Sequence, residues 1–160
     1  MSNESTNAKM NAKDAIFAAL AECYVTTDKK RYNFMQAINL EARVTKTKVE
    51  VPILGQTGKG HKATGWNGEG NATFHFNTSI FSEIMEKYKQ SGQDLYFDIQ
   101  VTTNDPTSEV GPQTVILRYC NLDNVVLTKF DASADYLDAN LDFTFDDWAI
   151  VTPFGELSGM

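Results

Sequence analysis

Residues 137–146 read LDANLDFTFD. Successive side chains of a β-strand point to opposite faces, so Leu137, Ala139, Leu141, Phe143 and Phe145 fall on one side and Asp138, Asn140, Asp142, Thr144 and Asp146 on the other. One face is greasy and the other strongly acidic. That pattern requires a sheet packed on a core on one side and wet on the other.

The same period recurs upstream. Ile38, Leu40, Ala42 and Val44 oppose Asn39, Glu41, Arg43 and Thr45, which predicts a half-buried strand from Ala37. Beyond Thr45 the phase changes, with Val49 and Val51 apolar and Lys46, Lys48 and Glu50 polar, as at a bulge or where a strand leaves its sheet. Pro52 ends pairing there. Residues 52–70, PILGQTGKGHKATGWNGEG, hold 6 of the 10 glycines and predict a long flexible loop, a length that goes with function. Ala72, Phe74 and Phe76 then alternate with Asn71, Thr73 and His75, and Leu95, Phe97, Ile99 and Val101 with Tyr96, Asp98, Gln100 and Thr102. Ala21–Thr27 and Arg31–Met35 flank Asp28-Lys29-Lys30 as a hairpin does, and Thr114–Cys120 and Leu122–Phe130 read as two more strands.

One segment has helical period. In residues 79–90, Ile80, Phe81, Ile84, Met85 and Tyr88 share a face, residues 77–79 supply caps and Gly92 ends the run, which predicts an outer helix over a sheet. Asp14 before AIFAALAE either starts a short helix or leads into a strand. With seven or eight strands, one helix and no βαβ rhythm, the expected fold is mainly β: an antiparallel barrel or sandwich with a packed helix.

The length of 160 residues leaves room for one domain, expected over residues 14–150, with a flexible N-terminal arm at 1–13 and an extension at 151–160. Hydrophobic residues at 42% and charged residues at 22% permit a packed core and exclude general disorder. The longest apolar run, Ala15–Ala21, is far below the ~20 residues of a membrane span. The opening MSNESTNAKMNAKD lacks the order of a secretory signal, so the sequons at Asn3, Asn71 and Asn77 read as chance. Cys23 and Cys120 read as small buried hydrophobes in a reducing compartment.

The net charge of −7 disfavours wrapping nucleic acid, which requires cations to displace counterions. Its distribution is uneven. Lys29, Lys30, Arg31, Arg43, Lys46, Lys48, Lys59 and Lys62 form a basic block, while Asp123 to Asp147 holds 7 aspartates against Lys129. Two opposed blocks in one small domain suit head-to-tail contact between identical copies.

Catalytic and cofactor chemistry finds no support. Gly58-x-Gly60-x-x-Ala63 has the form of a dinucleotide fingerprint but is followed by Thr64-Gly65-Trp66-Asn67-Gly68, which cannot open the helix that binds a pyrophosphate. Lys59 is followed by Gly60 where a phosphate loop has Ser or Thr. Cys23, His61, His75 and Cys120 lack metal-ligand spacing, and Asp138, Asp142 and Asp146 are spread along a strand rather than converging on a cleft. The reading is therefore no enzyme, no cofactor and no metal.

GQTGKGHKATGWNGEGNATFHF, SIFSEIMEKYKQSGQDLYFDIQVTTNDPTSEVGPQTV and LDFTFDDW together resemble the tail tube proteins of phages and phage-like elements with contractile tails, the group typified by the PBSX-type core tail protein. The likeness runs over about residues 15–150 and includes Gly68-x-Gly70 and the run Asn104 to Ser108. It implies a subunit of hexameric rings stacked into a hollow tube, with a sheath outside and baseplate and terminator proteins at the ends. DNA passes through the lumen without specific binding, no membrane is involved, and the tail is built in the bacterial cytoplasm as part of the virion. Carried onto this chain, the loop that reaches a neighbour spans residues 46–65. Its expected contacts are Lys46, Lys48, Val49, Val51, Leu54, Gly55, Gln56, Gly58, Lys59, Lys62, Gly65 and Trp66. Asp138, Asp142 and Asp146 either line the bore or pair with a neighbour's lysines. The alternatives are the tube of a bacteriocin-like particle and a monomeric β-barrel in which Trp66 gates a ligand cavity.

Overall fold

The structure is a computed structural model and describes residues 8–28 and 30–160. Residues 1–7 of the expected arm and Lys29 of the basic block lie outside the described residues. The chain forms β1 (Ala21–Thr26), β2 (Arg31–Asn33), β3 (Ala37–Val51), β4 (Gly60–His75), α1 (Ile80–Ser91), β5 (Phe97–Thr103), β6 (Gln113–Asn124), β7 (Asp138–Phe145) and β8 (Asp147–Thr152). The strands run in the order β2-β1-β5-β6-β7-β4-β3, every pairing antiparallel, and β8 joins β6. The mainly antiparallel β architecture with one helix is as the alternation predicts. Along this path the sheet stays open, with β2 and β3 as its ends.

The sheet folds over at a shared bend. Tyr119 takes a φ of 55°, in the left-handed region, in the middle of β6, and Asp146 interrupts β7–β8 where its N–H donates to the Arg118 carbonyl at 3.2 Å. The first half of β6 therefore pairs with β5 and β8, and its second half with β7. Two layers result. Val25, Phe97, Ile99 and Leu117 of one layer meet Ala72, Phe74, Leu141, Phe143 and Phe145 of the other in a single buried cluster. Phe34 and Phe81 join Phe74 with ring centroids 5.4–5.7 Å apart in tilted or edge-on geometry, which fixes α1 against the core. In α1, Phe81 is buried, Ile80, Ile84 and Met85 are half-buried and Tyr88 is exposed. Gly92 ends it as predicted, with φ 72° and its N–H on the Tyr88 carbonyl at 2.8 Å.

Three readings of the sequence are corrected. Residues 60–70 are not loop but the start of β4, and only residues 52–59 turn. The two strands expected at 114–120 and 122–130 are one bent strand that stops at Asn124. β3 is half-buried only at Ala37 and Leu40 and otherwise exposed, because it overhangs the core. Of the two readings at Asp14 the second holds: a single 3-10 turn, Ala12–Asp14, precedes a stretch that leads into β1.

The chain after Asp14 stays non-helical because the loop at 104–112 captures it. The Asp14 carboxylate accepts the Glu109 N–H at 2.9 Å and Ser108 Oγ donates to the Asp14 carbonyl at 3.0 Å. Asp105 accepts the N–H groups of Thr107 at 2.9 Å and Phe17 at 3.0 Å, and these bonds hold its carboxyl below the ordinary carboxylate range. The Asn104 to Ser108 run thus clamps the incoming chain.

Candidate assembly surface

β3 and β4 form a hairpin whose last rung with β7 is Gly68 to Phe145. From Gly68 to Gly60 the strand continues for about 25 Å at a rise of ~3.3 Å per residue, past the layer that supports it. At its tip Leu54 is fully exposed, and Ile53, Val49 and Trp66 are each 45% exposed. The expected contact residues all sit on this hairpin. Lys46, Lys48, Val49 and Val51 lie on β3; Leu54, Gly55, Gln56, Gly58 and Lys59 in the turn; Lys62, Gly65 and Trp66 on β4.

The bulge expected after Thr45 lies on the partner strand, and β3 itself keeps its alternation. Thr47 pairs with Gly65 but Lys48 pairs with Ala63, so Thr64 has no opposite residue and donates its hydroxyl to the Thr47 carbonyl at 3.2 Å. Before the bulge the apolar side chains, Leu40, Val44 and Trp66, lie on the core side; after it, Val49 and Val51 lie on the other. The overhang thus presents apolar groups on one face near its base and on the other toward its tip. Lys59 and Glu50 lie 3.6 Å apart across the base of the turn.

A second surface is the wet face of the β7-β4-β3 layer. Registered rows place Asp142 beside Asn71 and Glu41, and Thr144 beside Glu69 and Arg43. Asp142, Asn71, Glu41, Glu69 and Arg43, with Asp123, line an open cleft of about 500 Å³. Arg43 bonds Glu41 at 2.8 Å, and Asn124 donates to Asp142 at 2.9 Å. Asp138 lies on the same face, beside Lys129 at 3.5 Å. Asp146 does not join them, because it occupies the bend between β7 and β8.

Neither cysteine is a ready nucleophile. Burial pushes the Cys120 thiol up to about 12, aided by the charge of Asp98, and pushes Cys23 up to about 11, so neither supplies a thiolate near neutrality. Among the described residues no three His, Cys, Asp or Glu side chains gather closely enough to hold a metal ion, and no helix is long and apolar enough to cross a membrane. Gly58, Gly60 and Ala63 straddle the turn and β4, with no helix following.

A family model described as phage tail tube protein matches residues 8–152. The chain belongs to the phage tail tube protein family. It is 39% identical over 110 residues, 69% of this chain and 75% of the relative, to the phage-like element PBSX protein XkdM of Bacillus subtilis. The fold is that of a chain in the anti-feeding prophage tube-terminating cap, with a TM-score of 0.65 at 12% identity, over 91% of this chain and 96% of that one. A chain of the PVC extracellular contractile injection system in its sheath–tube complex aligns with a TM-score of 0.60 at 10% identity, covering 80% and 86%. The chain is therefore a structural tail tube subunit, a component of the virion tail.

Two features of the tail tube subunit escape sequence reading. β8, which runs to Thr152, carries Trp148 and Ile150 half-exposed beside β6. Residues 125–137, after β6, leave Leu127 and Phe130 in water; the apolar run that carries them looks like the rest of a strand.

Proposed function

We propose that copies of the chain join head to tail into hexameric rings, which stack as the inner tube of a contractile tail. A sheath surrounds the tube, baseplate and terminator proteins close its ends, DNA passes through the bore without specific binding, and the chain catalyses nothing. The observation that carries this is the free edge of β3. Alternate residues of this fifteen-residue strand turn their backbone donors and acceptors outward there, beside exposed Ile38, Val44 and Val49. Such an edge invites uncontrolled pairing unless a partner covers it.

A ring removes it. The β7-β4-β3 layer has a second end at residues 121–124 of β6, and pairing β3 of one copy with that end of the next repeats until the ring closes. Since the other face of the layer holds the core, the wet face with Glu41, Glu69, Asp138 and Asp142 turns toward the bore. Carboxylates repel phosphates and leave DNA free to slide, where lysines would bind it. The rival use of these aspartates, pairing with a neighbour's lysines, is less favoured because Asp142 sits mid-layer, with β4 on one side and β6 on the other. Sedimentation and negative-stain microscopy of the purified chain test the proposal: tubes of uniform width are expected, and a monomer at every concentration overturns it.

A further inference from the structure

The run Val125-Val126-Leu127-Thr128-Lys129-Phe130 is composed like a strand, β-branched and aromatic, yet it forms none. β6 stops pairing at Asn124, and among the described residues no backbone hydrogen bond joins residues 125–130 to the rest of the chain. The run nevertheless keeps beside β7, where Lys129 Nζ donates to the Asp138 carbonyl at 2.9 Å. Leu127 is 71% exposed and Phe130 90%. An unpaired backbone edge and two large apolar side chains are thus left in water.

A matching gap lies at the other end of the same layer. At the start of β3 the two layers part around an open cavity of about 660 Å³, lined by Cys23, Phe34, Met35, Ile38, Leu40 and Val101 among others. Ile38 has no opposite residue on β4, because Ala37 pairs with Phe74 and Asn39 with Thr73. Met35 is 75% exposed.

We propose that residues 125–130 of one copy become a strand along the start of β3, residues 37–40, of the next copy in the ring, with Leu127 and Phe130 covering its cavity. The inference rests on the tube reading and adds to it a strand that forms only on assembly. Three observations select this occupant. The first is register: a continuous row joins Asn124 to Asp142, Asn71 and Glu41. Carried across the junction, Asn124 of one copy meets Glu41 of the next. Every pairing is antiparallel, so β6 and β3 run in opposite senses, and the chain beyond Asn124 advances toward Ala37. The second is the backbone, since strand addition satisfies the free groups of both edges at once. The third is apolar burial. Val125 packs on the core, so in extended form Leu127 turns to the same side of the layer, the side on which the cavity opens. There Leu127 and Phe130 meet Ile38 and Met35, and water leaves both surfaces.

Hydrogen exchange on the unmodified chain reads the new strand. Alternate amides of residues 125–130 should be protected at least tenfold in tubes relative to dilute, unassembled protein; equal rates in the two overturn the proposal and leave the tube reading standing. Crosslinking identifies the neighbour. Thr128→Cys and Asn39→Cys are exposed positions, three strand spacings or about 14 Å apart within one chain. A chain carrying both in a Cys23→Ala background, assembled and treated with a short bis-maleimide, should give a ladder that stops at the hexamer, while each single variant stays monomeric on a denaturing gel. Tubes without a ladder, or a ladder that climbs past the ring, overturn the proposal. Phe130→Asp should melt like the parent and assemble at least tenfold less, with Phe130→Leu assembling normally; parental yield from Phe130→Asp overturns the covering role. Absence of tubes from the unmodified chain overturns the tube reading and this strand with it.

Discussion

A Cβ added at Gly70 would stand 2.5 Å from Cζ of Phe143, its cross-strand neighbour, and 2.7 Å from the Glu41 carbonyl oxygen. Gly68 has the same relation to Phe145, at 2.5 Å. Two glycines in β4 thus make room for two phenylalanine rings to lie flat over the backbone, on the core side of the layer whose other face carries the carboxylates. Gly70→Ala should cost about 1–3 kcal/mol through overpacking, read as a lowered denaturant midpoint with unchanged m-value. Gly65→Ala, with nothing within 4 Å of the added atom, is the matched control and should change stability by less than about 0.5 kcal/mol.

Trimming the hairpin separates folding from assembly. Val49 and Lys62 are opposite each other beyond the bulge, so removing residues 49–62 and joining Lys48 to Ala63 through Asn-Gly keeps every rung that touches β7. The trimmed chain should melt within a few degrees of the parent and form no tubes by negative-stain microscopy. Normal tubes from it would refute the role assigned to the tip.

The clamp at Asp105 should appear as acid sensitivity. Its folded carboxyl lies below the ordinary value because the Thr107 and Phe17 N–H groups stabilise the anion. The unfolded carboxyl titrates near ~4, so the contribution is fully present above that pH and is lost as pH falls through the folded value. Asp105→Asn should therefore be less stable than the parent at pH 7, and the gap should narrow below pH ~4. A gap constant with pH, measured by melts from pH 7 to 2.5, would show that the charge plays no part.

Some of this was legible before any coordinates. Alternation at 137–145 located both faces of β7, because a half-buried antiparallel strand has period two in its sequence. The glycine content of residues 52–70 misled for a physical reason. Gly68 and Gly70 are in the strand to admit Phe143 and Phe145, and the partner that explains them lies some seventy residues away. Likewise Leu122 to Phe130 has strand-like composition, but its second half finds no neighbour beyond Asn124 to pair with. The row expected to include Asp146 failed because the backbone bends there to pass from one layer to the other.

Reversing charge on the wet face distinguishes a bore from an interface. Asp138→Lys and Asp142→Lys, with Asp146→Lys made separately because it lies in the bend, replace carboxylates on an exposed surface and should leave melting within a few degrees of the parent. If Asp138 and Asp142 line the bore, the paired variant assembles into tubes of normal width. Those tubes bind short duplex DNA with an affinity that falls steeply with salt, each added phosphate contact contributing a slope of about −0.9 in log K against log salt. The parent tubes should show no such binding, and Asp146→Lys should resemble the parent. Loss of tubes in the paired variant, with the monomer still folded, would place these carboxylates at a subunit contact and move the bore to another face.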